Sequence, residues 1–234
     1  MHAGLIFLAK TMPSDSALFF AGAWFTALIV TVILACVLWL RLNDRTYLYY
    51  GAYVGMIAVM SLVDHLLAQW FHVHMGESFF YLNNFLHLPY AIFYLYFVIY
   101  YFNVRKHDPG WCQYYSYLIG AYVVTSGWLA WDILSRSSTG SEWAILTCNL
   151  VNFLSSLVLA GITTHEDRPG AREFLFASLP LTVSGLVLVA QFFSGAALEA
   201  GPGMMAFRSG FILHVMVFLT ALSARYRNLR RYAQ

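Results

Sequence analysis

Asp64 and His65 stand side by side near the end of the apolar stretch SLVDHLLAQWFHVHMG at 61–76. A carboxylate beside an imidazole can hold a cation or relay a proton, and it favours the imidazolium while burial opposes that charge. On a helix, Ser61, His65, Ala68 and His72 fall at i, i+4, i+7 and i+11, a single face with Asp64 just beside it. The next apolar run carries a comparable stripe of Asn84, His87, Ala91 and Tyr94. A later run carries Asn149, Asn152 and Ser156, and the last apolar run contains His214. An ionisable group in hydrocarbon costs roughly 3 kcal/mol or more. Asp64, His65, His87 and His214 are therefore expected to face other helices or water, which makes each a candidate for a ligand or proton pocket. Plainer roles are open to the same residues. Asn149, Asn152 and Ser156 can serve as interhelical hydrogen-bond glue. His72 and His74 can be solvated at the headgroups, Arg208 can anchor the rim, and Asp64, His65 and His87 can belong to a structural polar network or a metal site.

The elements that must position these groups follow from composition. Of the 234 residues 60% are hydrophobic and 10% are charged, against roughly 25% charged in an ordinary soluble domain. The chain reads as an all-α integral membrane protein. A net charge of +2 argues against nucleic-acid binding, and no cleaved signal peptide is expected at MHAGLIFLAK. Cys36, Cys112 and Cys148 lack CxxC spacing and imply neither a disulfide framework nor a zinc cluster.

Seven runs reach the ~20 residues needed to span hydrocarbon, at about 17–40, 46–71, 80–102, 111–133, 143–163, 173–193 and 207–224. Pro89 and Pro180 are expected to kink their helices without ending them. Gly51, Gly55, Gly120, Gly185 and Gly210 are expected to permit close helix approach. Tyr and Trp in TYLYYGAY, FFYLNN and VIYYF are expected at the headgroup level. Ten of the 13 Lys and Arg side chains fall on one side: Arg41, Arg45, Arg105, Lys106, Arg168, Arg172, Arg225, Arg227, Arg230 and Arg231. Lys10, Arg136 and Arg208 fall on the other. That asymmetry predicts an outer N-terminus of 16 residues, a seven-helix membrane domain over 17–224 and a basic cytoplasmic tail over 225–234. At 1.5 Å per residue nearly every strongly polar group within a span lies in the outer half.

Four chemistries can be weighed on these residues. Retinal needs a lysine in the last span, and Lys10 and Lys106 are the only lysines, so a rhodopsin is excluded. Haem ligation would pair His65 with His87. A zinc-dependent membrane hydrolase would use His65, His214 and Asp64. Its SxxxH element, Ser61 to His65, resembles the alkaline ceramidase and progestin-receptor superfamily, whose last-span HxxxH pair is here reduced to His214. No cofactor is predicted. The fourth chemistry is ligand or proton sensing in an outer pocket, which needs no catalytic set.

A resemblance to a known family bears on the fourth reading. RLNDRTYLYYGAYV at 41–54, RPGAREFLFASLPL at 168–181 and LTALSARYRNLRR at 219–231 resemble the first cytoplasmic turn, the last cytoplasmic loop and the exit of the seventh span in the bacterial seven-transmembrane receptors with diverse intracellular signalling modules. The resemblance implies a sensor passing an extracytoplasmic signal to a kinase, cyclase or other output module. With short ends on both sides, the chain is expected to be a fragment or to sense through the bundle itself. The reading is a receptor-like sensor or signalling subunit of the bacterial inner membrane, with a pocket of Asp64, His65, Asn84, His87, Asn152 and His214. Expected partners are the lipid bilayer, a membrane or cytoplasmic protein, and a second copy of the chain. The alternatives are the hydrolase and a purely structural accessory subunit.

Overall fold

In lipid every backbone N–H and C=O must be satisfied within the chain, and helices do this segment by segment. A computed structural model describes residues 15–62, 77–135, 139–168, 170–193 and 208–222, and over these the chain is helical except at its connections. The helices are α1 (Asp15–Leu42), α2 (Arg45–Ser61), α3 (Glu77–Tyr101), the single-turn α4 (Val104–His107), α5 (Pro109–Ser135), α6 (Ser141–His165), α7 (Ala171–Phe193) and α8 (Arg208–Leu222). Pro89 and Pro180 lie inside α3 and α7, neither of which they terminate.

Short polar turns reverse the chain. Asn43 ends α1 in the left-handed region (φ 51°), a conformation Asn tolerates better than most residues. Its N–H reaches the Trp39 carbonyl at 2.7 Å. Asp44 then caps α2 by accepting from the Thr46 N–H at 2.9 Å. Between α6 and α7, Gly170 sits at φ +84°, where a Cβ would lie 2.7 Å from the Tyr101 hydroxyl. That hydroxyl donates to the Gly170 carbonyl at 2.8 Å, which ties the α6–α7 turn to the end of α3.

Four such ties define an up-and-down bundle. Arg45 at the start of α2 donates to the Tyr100 hydroxyl at the end of α3. Tyr47 donates to the Leu222 carbonyl at the end of α8. Arg168 after α6 pairs with Asp108 before α5, and Tyr101 binds Gly170 as above. The α1–α2, α3–α5 and α6–α7 connections and the last turn of α8 therefore share one end of the bundle. Among the described residues this end carries Arg41, Arg45, Arg105, Lys106, Arg168 and Arg172, while Arg208 stands at the other.

The bundle is apolar outside and aromatic inside. Ile33, Leu40, Val124, Trp131, Leu134, Phe176, Val183 and Met216 are all more than half exposed, a surface suited to acyl chains rather than water. Three helical stretches are long and apolar enough by themselves to cross a membrane: Gly22–Leu42, Pro109–Ser135 and Trp143–His165. Leu86–Tyr101 and Arg208–Leu222 are shorter apolar helices, and the described part of α2 is 17 residues with four tyrosines.

Those tyrosines depart from expectation. Tyr47, Tyr50 and Tyr53 are fully buried, as are Tyr94, Tyr115 and Tyr122, so the TYLYYGAY segment builds the core instead of an interfacial belt. Spacing explains it, since 47, 50 and 53 repeat every three residues along one helical face. The rings of Tyr50, Tyr53 and Tyr94 interlock with Phe97, Phe211 and Phe218 at centroid separations of 5.2 to 6.3 Å, the range of favourable aromatic pairs. Exposed Trp128 and Trp131 do lie toward the end of α5, and exposed Trp143 in the first turn of α6.

The glycines also divide. Added at Gly210, a Cβ would lie 2.7 Å from the Pro180 carbonyl oxygen and collide with Ser184. At Gly51 it would meet the Ala35 Cβ at 3.1 Å. Gly55 has ordinary contact with Val32, whereas Gly120 and Gly185 have open space beside them and serve no close approach.

Candidate functional site

His214 is the most enclosed of the predicted residues. It is wholly buried on α8, with Nδ1 2.9 Å from the Ala177 carbonyl of α7. A carbonyl oxygen only accepts, so Nδ1 carries the proton and Nε2 of the neutral ring is a bare acceptor. Among the described residues no group hydrogen-bonds that Nε2. Packed around the ring are Phe218 at 4.7 Å, Phe211 at 5.5 Å and, edge-on, Tyr53 at 6.2 Å. Among the described residues the Tyr50 hydroxyl is likewise buried without a hydrogen-bond partner, and the Tyr53 hydroxyl lies beside that of Tyr90. A donor and an acceptor thus lie unsatisfied at one junction of α2 and α8, where buried polar groups are normally paired.

From Tyr53 the seam continues into α3. Tyr90 packs on Tyr53 at 5.2 Å, and His87 meets Tyr90 edge-on at 6.0 Å. His87 also keeps its Nδ1 buried and unpartnered. The structure joins His87 to His214 through two tyrosine rings. Another branch passes from Tyr53 to Tyr94 at 5.1 Å, and Tyr94 faces Ser156 of α6. Ser156 donates back to the Asn152 carbonyl at 2.8 Å. Across the α5–α6 seam, Tyr122 donates to Asn149 Oδ1 at 2.9 Å and accepts a 3.4 Å contact from Asn152 Nδ2. This is the interhelical glue open to Asn149 and Asn152, yet Asn152 Oδ1 remains unpartnered.

Asp64 and His65 lie outside the described residues, as do His72, His74 and the side chain of Asn84. The face that leads to His65 is nevertheless visible at Ser61, whose Oγ accepts from Trp24 Nε1 at 3.0 Å. Trp24 in turn packs edge-on against Phe211 at 5.4 Å. Ser61 is therefore turned toward α1 and the α8 edge of the seam. Beside it an apolar cleft of about 160 Å³ separates α1 from α8, lined by Trp24, Leu28, Thr31, Phe211, Val215 and Leu219. Of the predicted site residues that are described, His87, Asn152 and His214, none lines it.

Sequence reading missed Tyr50, Tyr53 and Tyr90, which join the predicted residues, and placed Tyr94 on the His87 stripe without assigning it to the pocket. A signal was present, since Tyr90, Tyr94, Phe97 and Tyr101 repeat at i, i+4, i+7 and i+11 on the stripe already containing His87. Of the zinc set only His214 is described, and among the described residues no group of three or more His, Cys, Asp or Glu converges.

At the opposite end of the seam lies an ion-pair cluster. Arg168 bridges Asp108 and, at 2.6 Å, Glu166. The hydrogen bond that Arg168 donates to Asp108 raises the guanidinium above its ordinary range.

No curated protein and no solved structure matches the chain. The family model described as 7TM diverse intracellular signalling matches residues 17–225. With an all-helical bundle, a lipid-suited exterior and a match over most of its length, this multi-pass membrane protein belongs to the 7TM diverse intracellular signalling family.

Proposed function

We propose that the protein is a receptor-like sensor of the bacterial inner membrane, with its N-terminus outside. A proton or small polar ligand would enter between α2, α3 and α8 and engage Asp64, His65, Asn84, His87, Asn152 and His214. The observation that carries the reading is that, among the described residues, His214 Nε2, the Tyr50 hydroxyl and His87 Nδ1 are buried without a hydrogen-bond partner. Left unpaired, each such group costs about 1–3 kcal/mol. A packing in which a ligand or a shifted tyrosine satisfies them is correspondingly favoured, and that difference lets binding select one of two helix arrangements. The orientation is supported by six described cations at the α1–α2 end against Arg208 at the other. Output would leave through that end to a partner protein.

The test uses the full chain in lipid nanodiscs, with the three native cysteines replaced by serine. Spin labels at exposed Lys106 and Thr220 report the separation of the α3–α5 connection from α8 as pH is varied. The parent should show a titration in the label distance that His214→Phe and the Asp64→Asn, His65→Gln pair each abolish. A pH-invariant distance, or one unchanged by these substitutions, sinks the reading.

The hydrolase alternative rests on His214 itself. An imidazole with Nδ1–H on a backbone carbonyl and a bare Nε2 is oriented as metal-bound histidines are. Zinc detected by elemental analysis of the purified protein, and lost in both His65→Ala and His214→Ala, would favour it.

A further inference from the structure

We propose that Arg45 and Arg105, gathered around Tyr100, bind the phosphate of an anionic phospholipid headgroup. Arg45 donates from Nη1 to the Tyr100 hydroxyl at 3.1 Å, with its guanidinium carbon 6.0 Å from the ring centroid. Arg105, from α4, approaches the same ring at 5.7 Å. Two cations from separate helices thus converge on one phenol, whose ring face attracts each of them. The ring is held in place, because Tyr49 stacks on both Tyr96 and Tyr100 at 5.1 Å with interplanar angles of 21° and 19°.

Among the described residues no carboxylate is seen paired with either guanidinium, whereas Arg168 pairs with Asp108 and Glu166, and Arg172 with Asp167. Arg45 spends one N–H direction on the phenol and keeps the rest of its five-donor fork available. Both arginines are exposed, and so are Arg41 and Lys106 nearby. Their mutual repulsion is relieved by an anion between them, and two guanidinium forks suit the oxygens of a phosphodiester.

Position selects a lipid over a soluble anion. Tyr100 lies one residue before the end of α3, and the half-buried stack of Tyr49, Tyr96 and Tyr100 runs down the α2–α3 seam into the apolar zone. A headgroup held by the arginines would lay its glycerol and first methylenes along those rings. Basic pockets between transmembrane helices recognise anionic headgroups in this way. The site stands apart from the sensing seam and holds in whichever leaflet that end lies.

The test measures lipid binding to the full chain by native mass spectrometry and by thermal shift in phosphatidylcholine nanodiscs with cardiolipin or phosphatidylglycerol added. At about fivefold per basic side chain near the surface, Arg45→Gln and Arg105→Gln should each weaken anionic-lipid binding about fivefold. The double variant should weaken it roughly 25-fold, and Arg172→Gln, at the same end, should leave it unchanged. The proposal is overturned if the double variant binds as the parent does, or if Arg172→Gln weakens binding equally. It is also overturned if inorganic phosphate in pure phosphatidylcholine discs gives the same arginine-dependent shift, which would assign the site to a soluble anion.

Discussion

Replacing Gly210 with alanine would push α8 away from α7. The new Cβ would stand 2.7 Å from both the Pro180 carbonyl oxygen and the Ser184 Cβ, whereas carbon atoms prefer about 3.5–4.0 Å. Ser184 cannot rotate the clash away, because one of the two contacts is with helix backbone. α8 must therefore retreat by about 1 Å, the shortfall from that optimum. One turn along, His214 Nδ1 sits 2.9 Å from the Ala177 carbonyl on the same pair of helices, and a retreat of that size takes the hydrogen bond past its useful range. Overpacking costs about 1–3 kcal/mol, a buried polar group left bare about 1–3 more, and the helix preference of Ala over Gly returns roughly 1. The net expectation is a loss of about 1–5 kcal/mol. Equilibrium unfolding in mixed micelles, followed by tryptophan fluorescence, measures it. Gly120→Ala and Gly185→Ala, with open space at their Cβ positions, should be neutral or slightly stabilising. If Gly210→Ala is as stable as Gly185→Ala, the reasoning about the α7–α8 crossing is refuted.

Tyr122→Phe removes a hydroxyl shared by Asn149 and Asn152 and should cost about 1–2 kcal/mol. A double-mutant cycle with Asn149→Leu should show a coupling of roughly 0.6–1.7 kcal/mol, and zero coupling would mean the hydroxyl does not join α5 to α6. His214→Phe gives up the Nδ1–H bond to Ala177 but also removes the buried unsatisfied Nε2, and because the two effects offset, unfolding should move by less than about 1 kcal/mol. A large destabilisation would show that the imidazole is structural. Arg168→Gln strands Asp108 and Glu166 and should cost about 1 kcal/mol, more at low salt than high; insensitivity to salt would argue against an ionic contribution. Because the folded-state value of Arg168 is raised, its stabilisation is fully present below the ordinary arginine range and is lost as pH rises from there through the raised value. Melting scans from neutral to mildly alkaline pH should therefore show no transition that Arg168→Gln removes.

The all-helical fold was legible because each apolar run is bounded by strong turn chemistry. NDR at 43–45 yields a left-handed Asn followed by an Asp cap, and RPG at 168–170 yields a left-handed Gly. Alternation of the chain between two ends was legible from charge, since Arg41, Arg45, Arg105, Arg168 and Arg172 recur at every second connection. His214 and His87 stood out because hydrocarbon penalises an imidazole that has no polar or functional role to offset its burial. What sequence could not show is which residues connect them. Tyrosine suits a membrane interface and a polar core equally well, and the choice at Tyr50 and Tyr53 depends on where α8 lies, a long-range fact absent from local pattern. Likewise Gly185 and Gly210 look alike in sequence, and only the crossing at Pro180 separates them.

That crossing also sets a mechanical scale. From Gly210 to Leu222 is 12 residues, about 18 Å of rigid helix, with a fulcrum at one end. At the other, the Leu222 carbonyl is held by Tyr47 at 3.1 Å. A tilt of only about 10° at the fulcrum swings the far tip by about 3 Å, enough to part that hydrogen bond. The Tyr47 hydroxyl thus works as a detent, setting a threshold below which small fluctuations in the aromatic seam leave the exit of α8 where it is.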